Sequence, residues 1–147
     1  MAGRPRQAPP GAGSVIAVVI TDAPLFPSQC KAMARRVSLG LARTGTTGSH
    51  SSGDIFLAAS TANPGGFTGG DPLGSGERTY DSLTFIPWGK INPFFEAVVQ
   101  ATEEAVANAL IANEDMTGRD GHRSPALPRH RLAEILTATP TSLNVTK

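Results

Sequence analysis

The chain has 147 residues, of which 39% are apolar and 17% are charged, a composition typical of one globular domain rather than of a disordered or fibrous chain. Thirteen Lys and Arg residues stand against 12 Asp and Glu residues, which leaves a formal net charge of +1. This balance excludes the strongly basic surface that gathers nucleic acid or anionic membrane. A single cysteine, Cys30, excludes an internal disulfide and a cysteine-based zinc site.

The first thirteen residues are almost all Gly, Pro, Ala and Arg, and we interpret them as a flexible leader because such a composition cannot build a packed element. No apolar stretch precedes Ser14, so we do not expect a secretory signal. The longest apolar run, Val15 to Ile20, is only about a third of a membrane span. We therefore expect a cytoplasmic protein without a transmembrane segment.

The first half of the chain predicts a strand, a helix and a second strand. Val15 to Ile20 is a continuous, mainly β-branched run, which predicts a strand buried on both faces. A helix is predicted from Ser28 to a stop near Gly45, with Cys30 as a small buried side chain. Its apolar stripe recurs every four residues, at Met33, Val37 and Leu41. Ile55 to Ala59 predicts a second strand.

The second half continues with a long loop over Ala62 to Glu77 and a third strand over about Ser82 to Ile86. The strongest helix is predicted from Asn92 to about Asn113, because its apolar residues keep helical spacing. A charged turn region over Met116 to Pro128 precedes a last helix, Arg129 to Thr137. This alternation of strands and helices predicts an α/β fold.

The dipeptide Gly13-Ser14, placed directly before a buried strand, is where a self-cleaving enzyme would carry an N-terminal nucleophile. The Ser14 hydroxyl would attack the preceding carbonyl by an N-to-O acyl shift. Cleavage would free an α-amine with a pKa of about 7.7–8.0, suited to take the hydroxyl proton during substrate attack. The alternative for this dipeptide taken alone is a plain linker.

Ser52 and Asp54 add a hydroxyl and a carboxylate two residues apart, at the junction between a loop and the second strand. Alternate residues of an extended chain point to the same side. Asp54 would therefore orient Ser52, and Ser52 would bridge to Ser14. The alternative is an Asx or Ser turn that only closes the loop.

No metal or cofactor is expected. His50, His122 and His130 lack the spacing of metal ligands. The loop from Gly45 to Gly53 lacks the Gly-Lys-Ser/Thr ending of a phosphate-binding loop.

Four ordered sequence blocks cover most of residues 13 to 128: Gly13 to Leu25, Ala34 to Thr46, His50 to Asn63, and Asn92 to Leu110 with Met116 to His122. Together they resemble the β-subunit of the DmpA family of self-processing serine aminopeptidases (L-aminopeptidase D-amidase/D-esterase). The resemblance places the nucleophile and the self-cleavage site on Ser14 and Gly13. It places the family's supporting serine and acidic residue on Ser52 and Asp54.

The resemblance also implies a fold and an activity. The fold would be part of a four-layer αββα sandwich, similar to N-terminal-nucleophile hydrolases and to ornithine acetyltransferases, in a homo-oligomer. The activity would be hydrolysis of N-terminal residues from peptides, amides or esters, without a cofactor. Residues 1–13 would be the leader, residues 14–137 the catalytic domain and residues 138–147 a C-terminal tail.

Members of the DmpA family carry a longer α-segment before the cleavage site, which supplies a tyrosine, an asparagine for the oxyanion and much of the substrate pocket. Thirteen residues stand in its place here. We therefore expect an α-segment of the same family as the partner, besides a peptide or amino-acid amide substrate, and slow self-cleavage of the chain alone. The alternative function is a non-catalytic remnant or interaction subunit that needs such a segment.

Overall fold

A computed structural model describes residues 13–66 and 81–138, which fall into two compact units. Residues 13–66 and 81–105 belong to the first unit, and residues 106–138 belong to the second. The predicted leader and tail therefore lie almost wholly outside the described residues, as do residues 67–80 of the predicted long loop. All the candidate catalytic residues lie in the first unit.

The first unit contains a two-stranded parallel sheet. Strand β1, Ile16–Thr21, pairs with β2, Ile55–Ser60, over six residue pairs. Parallel strands need a crossover connection, and the helices α1, Pro27–Ala34, and α2, Val37–Arg43, lie within it. Both predicted strands are confirmed to within one residue at each end.

The two faces of this sheet differ in burial. On one face, alternate side chains such as Phe56 and Ala58 are half-buried, and helix α1 packs against β2. The opposite face is apolar and exposed: Ile16 and Ile20 are 73% and 71% accessible, and Leu57 is 57% accessible. The prediction that β1 is buried on both faces is therefore wrong, because among residues 13–66 and 81–138 helix α1 packs on one side of the sheet and the other side is exposed.

The predicted crossover helix is broken into two. The Arg36 amide donates to the Met33 carbonyl at 2.8 Å, a bond that spans three residues where an α-helix spans four, so the chain turns between α1 and α2. The predicted apolar stripe is nevertheless confirmed, since Met33, Val37 and Leu41 are all buried. The predicted burial of Cys30 is also confirmed.

The predicted third strand, Ser82 to Ile86, is wrong, because no strand forms over these residues. The Asn63 side chain pairs with the backbone of Thr84, donating at 3.1 Å and accepting at 2.9 Å. The fully buried Gln29 side chain donates to the Ile86 carbonyl at 2.6 Å. Side-chain amides thus satisfy backbone groups that a neighbouring strand would otherwise satisfy, and apolar alternation cannot reveal such partners.

The long helix α3, Asn92–Ala112, confirms the predicted helix to within one residue. In the second unit, a short antiparallel hairpin joins β3, Met116–Thr117, to β4, Arg123–Ser124, within the predicted turn region. Helix α4, Arg129–Ala138, follows as predicted. No helix in residues 13–66 and 81–138 is long and apolar enough to cross a membrane.

Candidate active site

The three candidate catalytic side chains come together at one end of the parallel sheet. Ser14 lies two residues before β1, while Ser52 and Asp54 lie in the loop that leads into β2. Because parallel strands begin at the same edge of a sheet, this loop passes beside Ser14. The pairing of Ile16 with Ile55 sets the register of the contact.

Asp54 is the acceptor at the centre of the site. Its Oδ1 accepts a hydrogen bond from Ser52 Oγ at 2.5 Å and another from the Val15 amide at 3.0 Å. The Ser52 hydroxyl, and after it the Val15 amide, hold the pKa of Asp54 below its usual range, against a smaller opposing effect of burial. Asp54 is therefore a carboxylate at neutral pH.

The Ser14 hydroxyl is held by a main-chain group that the sequence did not indicate. The Gly53 amide donates to Ser14 Oγ at 2.8 Å. The predicted bridge from Ser52 to Ser14 does not form among the described contacts: the Ser52 hydroxyl donates to Asp54, and Ser14 Oγ accepts from the Gly53 amide. A backbone donor is invisible to motif reasoning because every non-proline residue carries one.

The site is open to solvent within the described part of the chain. Ser14 and Asp54 are exposed, Ser52 is half-buried, and Gly13 before Ser14 is exposed as well. The site thus contains the Ser14 hydroxyl, whose oxygen accepts from the Gly53 amide, beside the Asp54 carboxylate, which accepts from the Val15 amide.

A cavity of about 500 Å³ lies between α1 and the edge of β2. Leu25, Cys30 and Lys31 line one side, and the β2 residues from Phe56 to Ser60 line the other. Burial raises the pKa of the Cys30 thiol, so it stays protonated at neutral pH. Within residues 13–66 and 81–138, no group of three His, Cys, Asp or Glu side chains is placed to hold a metal ion.

Comparison with known proteins gives the class to which this fold and site belong. The sequence profile of Peptidase family S58 matches residues 2–124, and the chain belongs to this family. The match starts within the predicted leader and runs to the end of β4. The resemblance to the DmpA family is thereby confirmed.

The individual relatives are aminopeptidases by name. The chain is 44% identical to the beta-peptidyl aminopeptidase BapA of Sphingosinicella microcystinivorans over 128 residues, which make up 86% of this chain and 30% of that protein. The structure of a Burkholderia sp. beta-aminopeptidase matches 90% of this chain with 36% of its own, at a TM-score of 0.73 and 38% identity.

A further structure, the L-aminopeptidase D-Ala-esterase/amidase of Ochrobactrum anthropi, matches 90% of this chain with 36% of its own, at a TM-score of 0.71 and 36% identity. It is described as a prototype for the serine aminopeptidases and a variant of the Ntn hydrolase fold. The chain spans about a third of the length of these relatives. Its α/β fold is that of the matching part of these structures.

Proposed function

We propose that this chain carries the nucleophile of a serine aminopeptidase, which hydrolyses N-terminal residues from peptides, amides or esters. The observation that supports this proposal is the contact at the end of the sheet, where Ser14 Oγ lies 2.8 Å from the amide between Ser52 and Asp54. Membership of a peptidase family adds to it. The roles of Ser14, Ser52 and Asp54 are parts of the proposal.

The proposed cycle begins with self-processing. The Ser14 oxygen bonds to the Gly13 carbonyl carbon, the Gly13–Ser14 peptide bond breaks, and the departing nitrogen takes the hydroxyl proton. This shift frees the Ser14 amine, and water then hydrolyses the resulting ester, which releases the Gly13 carboxylate and restores the Ser14 hydroxyl. That amine has an ordinary pKa of about 7.7–8.0, so its neutral form is available as a general base near neutral pH.

In turnover, Ser14 Oγ bonds to the substrate carbonyl and its proton passes to the α-amine and then to the leaving amine. Water resolves the acyl-enzyme and returns the proton to Ser14 Oγ. Asp54 acts indirectly by positioning the groups around Ser14. Its carboxylate accepts hydrogen bonds from the Val15 amide, next to the nucleophile, and from the Ser52 hydroxyl. The names of the relatives favour β-peptides, L-amino-acid amides and D-alanine esters or amides as the substrates to examine.

The proposal includes the wider architecture. The exposed apolar face of β1 and β2 would pack on a second sheet contributed by an α-segment of the family, which completes a four-layer αββα sandwich in a homo-oligomer. The relatives are about three times as long as this chain, which leaves room for such a segment.

The test is made on the chain assembled with an α-segment from a relative. Ser14→Ala is expected to abolish cleavage at Gly13–Ser14, seen by intact mass, and to reduce hydrolysis of an amino-acid nitroanilide by at least about 10³-fold. Ser52→Ala is expected to reduce hydrolysis about tenfold, the effect of one lost hydrogen bond. Ser51→Ala is the control, since its exposed hydroxyl bonds only to Ser49 among the described contacts.

Turnover retained in Ser14→Ala would refute the proposal. An assembled wild-type chain that binds the α-segment without hydrolysing any of the three substrate classes would instead support the alternative, a non-catalytic interaction subunit.

A further inference from the structure

The main-chain amide of Gly53 touches the oxygen that would carry out the chemistry. Its N–H donates to Ser14 Oγ with a nitrogen–oxygen distance of 2.8 Å. This is the distance of a well-formed hydrogen bond. The two residues are 39 positions apart in the sequence, so the contact exists only because β1 and β2 pair.

The segment that carries this amide is fixed on both sides. Before it, the Ser52 hydroxyl is bonded to Asp54 Oδ1 at 2.5 Å, which closes a loop around Gly53. After it, Asp54 holds the Val15 amide at 3.0 Å, and the Ile55 amide donates to the Val15 carbonyl at 3.0 Å. The donor is therefore set in place by the strand register before any substrate binds, as electrostatic stabilisation of a developing charge requires.

We propose that the Gly53 N–H is a catalytic hydrogen-bond donor to the nucleophile, an inference that rests on the proposed role of Ser14. During attack the O–H bond of Ser14 breaks and the Oγ–carbon bond forms. During deacylation water bonds to the acyl carbon, the carbon–Oγ bond breaks, and Oγ regains a proton. In both steps Oγ carries more negative charge than in the resting hydroxyl, and a hydrogen bond to a charged acceptor is stronger.

Two changes remove the donor. Gly53→Pro removes the N–H, and replacement of Gly53 by glycolic acid turns the Ser52–Gly53 amide into an ester with no added atom. Ser51→Ala is the control, because its exposed hydroxyl bonds only to Ser49 among the described contacts.

The experiment compares kcat and KM of these variants on an amino-acid nitroanilide, with the chain assembled with a family α-segment. Removal of the donor is expected to lower kcat by about 10- to 100-fold with KM changed less than about twofold, because the bond is strongest in the transition state. Ser51→Ala is expected to keep kcat within about threefold, because its exposed hydroxyl contacts Ser49 and not the nucleophile. Thermal unfolding of each variant checks that it folds. If the proline variant does not fold, the ester variant alone tests the donor.

The outcomes separate this inference from the function on which it rests. An ester variant with wild-type kcat would overturn the donor role of Gly53 while Ser14→Ala remains inactive. Turnover retained in Ser14→Ala would refute the proposed function itself.

Discussion

Asp54 shows how one side chain organises the candidate site. A single oxygen, Oδ1, accepts from both the Ser52 hydroxyl and the Val15 amide. Both bonds favour the ionised form, so the pKa of Asp54 lies below its ordinary value. The carboxylate is exposed, so we assign it a geometric role in holding the loop beside Ser14 rather than a large share of the stability.

The pH dependence of this arrangement follows from the direction of the shift. Above the ordinary aspartate pKa of about 3.9, Asp54 is ionised in the folded and the unfolded chain, and its hydrogen bonds stabilise the fold in full. That contribution is lost only as the pH falls through the lowered pKa of the folded state. The site is therefore expected to stay intact throughout the neutral range.

Ser52→Ala is expected to raise the pKa of Asp54 toward about 3.9, because the Ser52 hydroxyl is the largest cause of the shift. An NMR titration of the Asp54 side-chain carboxyl carbon measures this directly. Ser51→Ala is the control, and it should leave the titration unchanged. An Asp54 pKa that is identical in wild type and Ser52→Ala would contradict the hydrogen-bonded arrangement described above.

At the scale of elements, α2 meets α3 through a glycine. A Cβ at the buried Gly40 would lie 2.6 Å from Thr102 Cβ and 2.6 Å from the Val99 carbonyl oxygen, closer than real contacts allow. The ion pair between Arg43 and Glu103 also joins the two helices, at 2.7 Å. Because its side chains are 59% and 39% exposed, it is worth only about 0–1 kcal/mol, so close packing at Gly40 decides how the helices meet.

At Gly40→Ala the α3 backbone has to move away from the new methyl group, which costs about 1–3 kcal/mol. Alanine gains about 1 kcal/mol over glycine in a helix interior, so the expected net destabilisation is up to about 2 kcal/mol. Urea unfolding measures the change, with the exposed Ser38→Ala in the same helix as the control. A midpoint equal to or above that of the wild type would show that the two helices are not in such close contact.

For the whole molecule, the main feature is the exposed apolar face of the sheet. Its side chains are paired across the strands, with Ile16 beside Ile55 and Val18 beside Leu57, and each is more than half exposed. Full burial of such a side chain is worth about 1.5–3 kcal/mol. A face of this kind favours association with a further layer of structure.

The chain by itself is therefore expected to be an oligomer, as measured by light scattering. Val18→Lys combined with Leu57→Lys places two charges on this face and is expected to raise the monomer fraction. Leu39→Lys, at a position of α2 that is 52% exposed, is the matched control and should leave association unchanged. A wild-type chain that is a well-folded, monodisperse monomer would contradict the prediction.

The sequence by itself determined the elements whose signals are local. The β-branched run of β1 predicted a strand and the helical spacing of α3 a helix, and both elements appear in the structure. The apolar stripe of α1 and α2 is buried as predicted. The candidates Ser14, Ser52 and Asp54 were also within reach, because a family resemblance and a loop-to-strand junction pointed to them. The three side chains do lie together, while their catalytic roles remain a proposal.

Only the tertiary structure decided the features that depend on residues far apart in the sequence. The side chains of Asn63 and Gln29 hydrogen-bond to backbone groups of Thr84 and Ile86, in the segment where a third strand was predicted. The apolar pattern also did not reveal the break between α1 and α2 at the Arg36–Met33 hydrogen bond, or the exposed face of β1. The Gly53 amide donates to Ser14 although the two residues are 39 positions apart. The sequence could not predict this donor, because every non-proline residue carries a main-chain amide and only the strand register places this one beside Ser14.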